Sequence, residues 1–145
     1  MMKSLLAICF AFFVSSSAFA EQAIETDQYI IHYNAFNSSI VAPEVAQKHG
    51  LVRSRFTAML NVAVFEKQAD GTQKAIPAIL QAKTANLMQQ TQNISFQPIK
   101  EGDALYYIGS FNFGNEEIMH LTIDVQPDPN KPATTIRFDQ KFYAE

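Results

Sequence analysis

The sequence has little of several residue types on which whole classes of protein depend. It contains one cysteine, Cys9, and no tryptophan among 145 residues, and only 17% of its residues are charged. A single cysteine cannot form an internal disulfide and cannot supply a multi-cysteine zinc or iron–sulfur site. Because 11 basic residues stand against 14 acidic ones and form no basic stripe, we expect no binding to nucleic acid.

Residues 1–20 have the three-part pattern of a secretory signal peptide. One lysine precedes an almost unbroken apolar run at 5–14, and the segment ends in an A-x-A sequence at Ala20. The run is shorter than the roughly 20 residues that a transmembrane helix needs. We therefore expect cleavage after Ala20, a periplasmic location, no membrane span in the cleaved chain, and a thiol-free single domain at 21–145.

The rest of the chain alternates between apolar and polar residues with a period of two. This period is typical of strands that bury one face, and turn residues separate the alternating segments. We predict an all-β fold, an immunoglobulin-like antiparallel β-sandwich of about seven strands. One example is residues 56–66, which put Phe56, Ala58, Leu60, Val62 and Val64 on one face. Other predicted strands are 29–36, 94–99, 104–113, 118–125 and 134–143.

Two segments do not show this simple alternation. Pro43 to His49 has proline at a helix start and cations in its last turn, and Gly50 follows, so we predict one short helical crossover. Residues 74–90 fit either an amphipathic helix that starts at Pro77 or a strand. We favour the strand because the neighbouring segments are strands.

The histidines raise the possibility of a metal site. His32, His120 and Asp124 carry ligand types that bind metals, although they lie far apart in the sequence. Met119 precedes His120, but adjacent strand residues point to opposite faces, so we interpret Met119 as a core residue.

One basic cluster and one aromatic cluster each have two interpretations. Arg53 and Arg55 could bind a carboxylate or a phosphate, or they could be solvated, or pair with Glu44 or Asp27 and hydrogen-bond loop carbonyls. The aromatic side chains of residues 106–113 could line a ligand groove or belong to the core. We favour the second interpretation of each cluster.

Several stretches of the chain resemble an uncharacterised family of secreted proteobacterial proteins that is known only as a domain of unknown function. The resemblance rests on HYNAFNSSIVAPEVAQKHGLVRSR at 32–55, LNVAVF at 60–65, YYIGSF at 106–111 and FDQKFY at 138–143. It implies a periplasmic β-sandwich and no particular activity. His49 stands where the family places an aromatic residue, which favours a packing role for His49.

These observations favour a non-enzymatic periplasmic binding or protein-interaction module. We see no catalytic motif and expect no cofactor, and the partner would be another periplasmic protein or a second copy of the chain. The alternatives are a carrier of a metal or small ligand, and then a hydrolase with an unrecognised site. The candidate binding surface consists of His32, Asn34, Asn37, Glu44, Arg53 and Arg55.

Overall fold

A computed structural model describes residues 22–145, and the signal peptide predicted at 1–20 lies outside the described residues. Residues 22–145 form ten strands, a 3-10 turn at Ser38–Ile40 and one helix, α1, at Pro43–His49. No helix in this part of the chain is long and apolar enough to cross a bilayer. The strands are β1 (Gln22–Glu25), β2 (Tyr29–Asn37), β3 (Thr57–Lys67), β4 (Gln73–Ala75), β5 (Ile79–Asn86), β6 (Thr91–Ile94), β7 (Phe96–Glu101), β8 (Ala104–Asn112), β9 (Glu117–Gln126) and β10 (Thr134–Phe142).

The strands form two sheets in which each described pair is antiparallel. Sheet A has the order β1–β2–β3–β8–β7, with β4 also paired to β3, and sheet B has the order β10–β9–β5–β6. The predicted all-β sandwich is therefore confirmed. The strands outnumber the predicted seven partly because β1 and β4 are short segments without a clear alternating pattern.

The strand predicted at 94–99 is in fact two strands in different sheets. β6 ends at Ile94 in sheet B, and β7 begins at Phe96 in sheet A, so the chain crosses between the sheets at Ser95. Gly109 of β8 makes this crossing possible, because a Cβ atom there would lie 2.8 Å from the Ser95 carbonyl oxygen and closer still to Ile94 Cγ2. β8 pairs with β3 without an extra residue, so Gly109 marks close packing and not a bulge.

The core lies between the two sheets and follows the predicted alternation. Phe142 of β10 packs against Phe111 at 5.4 Å and Phe113 at 5.2 Å between ring centroids, which joins the last strand of sheet B to sheet A. β9 contributes its predicted inward residues in full, and each is almost fully buried. These are Met119, Leu121, Ile123 and Val125.

Two details of the predicted strands are corrected or decided by the structure. Residues 74–90 contain β4 and β5, so the favoured strand interpretation is right, and Pro77 lies between the two strands. Phe56 does not share the inward face of β3. It precedes Thr57, the first residue of that strand, and 47% of its surface is exposed.

Helix α1 forms where the sequence predicts it, and Gly50 ends it at a positive φ of 65° that glycine adopts without strain. Ala46 is the buried residue of the helix, and Gln97 Nε2 of β7 donates a hydrogen bond to the His49 carbonyl oxygen at 2.8 Å. Met59 and Ala63 occupy outward positions of β3 and are also buried. Part of the outer face of sheet A is therefore covered, whereas the simple alternation predicted an open face.

Candidate functional site

The six candidate residues occupy two regions of the molecule. By strand alternation, His32 and Asn34 point from β2 to the outer face of sheet A, level with Ala63 and Asn61 of β3. The other four lie in or beside the segment that leads from β2 to β3: Asn37, Glu44, Arg53 and Arg55.

Residues 38–56 connect β2 to β3 and are fixed at both ends by side-chain hydrogen bonds. Ser38 is fully buried, and its Oγ atom donates to the Ser54 carbonyl oxygen and accepts from the Ser54 N–H, both at 2.9 Å. Asn37 Nδ2 donates to the Tyr143 carbonyl oxygen at 2.7 Å. Ser38 is not among the six candidate residues, and the sequence could not indicate its partner, since an alternating pattern contains no signal for a hydrogen bond between residues 16 positions apart.

The two arginines of this segment have different contacts. Arg53 Nη2 donates to the Ser39 carbonyl oxygen at 3.0 Å, so it bonds a loop carbonyl as the favoured interpretation expected. The Arg55 guanidinium lies over the ring of Phe56, 5.5 Å from its centroid. Both arginines remain exposed. They can therefore contribute to a surface contact, while Arg53 also tightens the segment.

The same segment exposes large apolar side chains that the core does not use. We call their surface, together with Arg53 and Arg55, the crossover surface. The exposed fractions are 49% for Ile40, 45% for Val45, 66% for Val52 and 47% for Phe56. Exposed apolar side chains that form a contiguous patch are typical of a contact surface.

A second exposed apolar pair lies at the tip of the β5–β6 hairpin, at the same end of the sandwich where β3 begins. Leu87 is 68% exposed and Met88 is 79% exposed. Asn86 fixes the tip, because its Oδ1 atom accepts hydrogen bonds from the N–H groups of Met88 and Gln90 at 3.0 and 2.9 Å.

The histidines do not form a common metal site. His32 lies on the outer face of sheet A against Phe65, whereas His120 lies on the outer face of sheet B, where its Nδ1 atom is 2.6 Å from Asp139 Oδ1. Asp124 is four residues along the strand from His120, roughly 13 Å away. Among residues 22–145, no three His, Cys, Asp or Glu side chains come together as a metal-binding group.

His49 is mostly buried beside β7. Its side chain is 15% exposed, and its Nε2 atom lies 3.6 Å from Glu101 Oε1. The helix thus contacts two outward residues of β7, Gln97 through the His49 carbonyl and Glu101 through the ring. This position is consistent with a packing role for the His49 ring.

The aromatic cluster belongs mainly to the core, as we expected. Phe111 and Phe113 are buried, and Tyr107 packs against the core while its hydroxyl accepts a hydrogen bond from the Ala78 N–H at 3.3 Å. Tyr106 points the other way and is 36% exposed.

An open groove of about 580 Å³ lies at the edge of sheet B where β6 ends, and none of the six candidate residues contributes to it. Its polar lining includes Lys83, Asn93 and Asp124, and its apolar lining includes Leu80 and Phe96.

One known protein family matches almost all of the described residues. The family model of DUF4426, a domain of unknown function, matches residues 23–145. The chain belongs to the DUF4426 family. This match confirms the family resemblance of the sequence, and no curated protein matches the chain.

Solved structures of bacterial proteins show the same fold. A DUF4426 family protein from Pseudomonas aeruginosa PAO1 is 30% identical with a TM-score of 0.74, covering 86% of this chain and 96% of that chain. FetP from uropathogenic Escherichia coli strain F11, expressed recombinantly in the periplasm, is 12% identical with a TM-score of 0.59, covering 86% of this chain and 95% of FetP. A copper-bound variant of FetP is also 12% identical, with a TM-score of 0.53 and coverages of 87% and 92%. At that identity the likeness to FetP concerns the fold alone.

Proposed function

We propose that this DUF4426 protein is a non-enzymatic periplasmic interaction module that binds another protein through the crossover surface. One observation carries the proposal. Residues 38–56 hold four large apolar side chains between 45% and 66% exposed, although the segment is ordered by its own hydrogen bonds.

Residues 38–56 are held in one conformation by hydrogen bonds, which favours a role in binding. The paired hydrogen bonds of Ser38 with Ser54 join the two ends of the segment, and the contact of Arg53 with the Ser39 carbonyl adds a third link. A partner would therefore meet a surface that is already shaped. Less conformational entropy is lost on binding to such a surface than on binding to a flexible loop.

The chemistry of the surface suits a protein partner. Complete burial of a valine, isoleucine or phenylalanine side chain contributes about 1.5–3 kcal/mol, so four partly exposed ones offer several kcal/mol to an apolar partner. Arg53 and Arg55 add hydrogen-bond donors beside them, and arginine is enriched in interfaces. The predicted signal peptide supports a periplasmic setting.

Site-specific photocrosslinking in cells tests the proposal. The full chain is produced with a photoreactive amino acid at position 52 or 56, and we expect each position to yield a covalent adduct of one discrete mass. Position 72 is the control, because Thr72 is exposed in the β3–β4 turn at the opposite end of the sandwich.

Mass spectrometry of the processed chain should also find Glu21 as its first residue.

A double variant tests the same surface by removing two of its apolar side chains. V52S together with F56S should abolish the adduct formed by the reactive group at position 45, while the melting temperature changes little because both side chains are about half exposed or more. Equal adducts at positions 72 and 52 would contradict the proposal. A rise in melting temperature with copper or zinc alone, without adducts, would favour a metal carrier instead.

A further inference from the structure

Besides the three-residue β4, which pairs only with β3, the sandwich has four edge strands, and these differ in how well they are protected against pairing. Sheet A ends at β1 and β7, and sheet B ends at β6 and β10. β1 and β6 have four residues each, and β7 has six with Pro98 among them. Short strands and proline are the usual means by which proteins prevent edge-to-edge association. β10 has nine residues and no proline.

β10 is also regular along its whole length. Thr134–Phe142 pairs residue by residue with β9, from Thr134 opposite Val125 to Phe142 opposite Glu117. Within residues 22–145 no strand pairs with its other side. Successive residues of a strand direct their N–H and C=O groups alternately to its two sides. The free side of β10, roughly 30 Å long, therefore presents backbone donors and acceptors for pairing.

The outward side chains of β10 are complementary to a second copy of themselves. Arg137 and Asp139 are exposed neighbours on the outer face of sheet B. In an antiparallel pair centred on Phe138, Arg137 of each copy lies opposite Asp139 of the other. Opposite charges in directly facing positions stabilise a pair of strands, and like charges destabilise it.

The register centred on Phe138 is more favourable than the registers shifted by one or two residues. A pair centred on Arg137 or on Asp139 would place two identical charges opposite each other. A pair centred on Gln140 would bring together only residues 138–142 of the strand. The register centred on Phe138 pairs all nine residues.

The inward side chains fit the same register. Phe138 is half-buried, with its ring 5.1 Å from that of Tyr33, and it would face Phe138 of the second copy. Aromatic pairs in facing positions of antiparallel strands are stabilising. Both faces of β10 therefore favour one arrangement.

We propose that the protein forms a homodimer in which β10 pairs antiparallel with β10 of a second copy, with Phe138 opposite Phe138. The two four-stranded B sheets become one sheet of eight strands, joined by about eight to ten backbone hydrogen bonds. The dimer uses a strand edge and not the crossover surface, so it is independent of the proposed function.

Charge-exchange variants analysed by sedimentation velocity test the dimer. The wild-type protein should form dimers as its concentration rises. R137D and D139R should each weaken dimerisation roughly tenfold or more, because each places two pairs of like charges in contact. The double variant R137D with D139R should restore dimerisation, since it recreates the opposite-charge pairs with the signs exchanged. High salt should reduce the difference between the single and double variants.

The matched control is K83D on the same outer face of sheet B. Lys83 lies opposite Thr122, which itself lies opposite Arg137, so it shares the row of Arg137 but belongs to an interior strand. K83D should dimerise like the wild type. Asp139 also contacts His120, so circular dichroism must show that each variant is folded.

Hydrogen exchange supplies a test without any variant. Backbone amides in 134–142 should become more protected as the wild-type concentration rises, whereas the amides of β7 should not change. A wild-type protein that stays monomeric up to millimolar concentration overturns the proposal. So does a K83D effect as large as that of R137D, or a folded double variant that remains monomeric.

Discussion

At the scale of single residues, Gly109 shows how one small side chain permits the connection between the sheets. The chain passes from β6 to β7 directly over it, and the backbone of Ser95 leaves no room for a Cβ atom. A glycine inside a strand indicates either a bulge or close packing. Which of the two applies depends on a neighbour 14 residues away, and only the folded topology shows that neighbour.

We predict that Gly109→Ala destabilises the protein by about 1–3 kcal/mol, the usual effect of overpacking a tight site. The carbonyl of Ser95 belongs to the backbone and cannot rotate away as a side chain could. Urea denaturation followed by circular dichroism measures the change. Gly114→Ala is the control, because its Cβ would come no closer than 3.5 Å to the end of the Glu117 side chain. Equal stability of the two variants would show that the crossing can shift at little energetic expense.

For β3, the alternating pattern predicted most of the buried inward residues correctly, but it did not predict the exposure of Phe56 or the burial of Met59. Ala58, Leu60, Val62 and Val64 are buried as expected, while Phe56 is exposed because the strand starts one residue later. Met59 is buried despite its outward position. A local pattern cannot indicate that another segment of the chain covers that face.

At the scale of elements, short turns are stabilised by contacts between side chain and backbone. In the β3–β4 turn, Asp70 Oδ1 accepts hydrogen bonds from the Thr72 hydroxyl at 2.6 Å and from the Thr72 N–H at 2.9 Å. The bond from the Thr72 side chain, followed by that from its backbone, holds the pKa of Asp70 below its ordinary value of 3.8.

This lowered pKa sets the direction of a pH effect. The folded-state pKa lies below that of the unfolded chain, so the stabilising contribution is fully present above the unfolded value. It is lost as the pH falls below 3.8 and through the folded-state pKa. We predict that Thr72→Val moves the pKa of Asp70 back towards 3.8, while Thr72→Ser keeps it low. Titration of the Asp70 carboxyl by NMR measures both, and identical titrations of the two variants would exclude the hydroxyl as the main cause.

The elements themselves were predictable where they are long. β2, β3, β8, β9, β10 and α1 all lie where the sequence placed them, because alternation or capping signals extend over each of them. The break at Ser95 was not predictable. A strand that changes sheets keeps its extended conformation on both sides, so the local pattern carries no sign of the change.

At the scale of the whole molecule, the two sheets are held together by an aromatic contact near the C-terminal end of β10. Phe142 is 2% exposed and touches Phe111 and Phe113, which follow one another on the inward side of β8 and the turn after it. The contact joins the last strand to a strand of the opposite sheet. It therefore depends on the whole chain being folded.

We predict that Phe142→Ala lowers the free energy of unfolding by about 3–5 kcal/mol, as for other phenylalanines removed from a packed core. Tyr143→Ala should change it by less than about 1 kcal/mol, since that side chain is 47% exposed and its carbonyl bond to Asn37 is retained. Thermal and urea unfolding of both variants measure the difference. A small effect of Phe142→Ala would mean that the C-terminal strand is loosely attached.

The position of the crossover surface along the chain was predictable in part from the sequence. The sequence directed attention to residues 32–55, and most of the exposed apolar side chains of the connecting segment lie there. It chose polar residues such as His32 and Asn34, which belong to β2 and not to the connecting segment. It did not indicate that Val52 and Ile40 stay exposed, because exposure of an apolar residue depends on the tertiary fold.

The hairpin tip at Leu87 and Met88 has a consequence for how the protein reacts with oxidants. Met59 and Met119 are almost completely shielded, whereas Met88 is 79% exposed. Thioether oxidation depends on accessibility, so among the methionines of residues 22–145 we expect a peroxide to transfer one oxygen atom to Met88 first, which forms a sulfoxide. The added polarity falls on a side chain already in water. Met88 can thus consume an oxidant at the surface while the packing between the sheets remains intact.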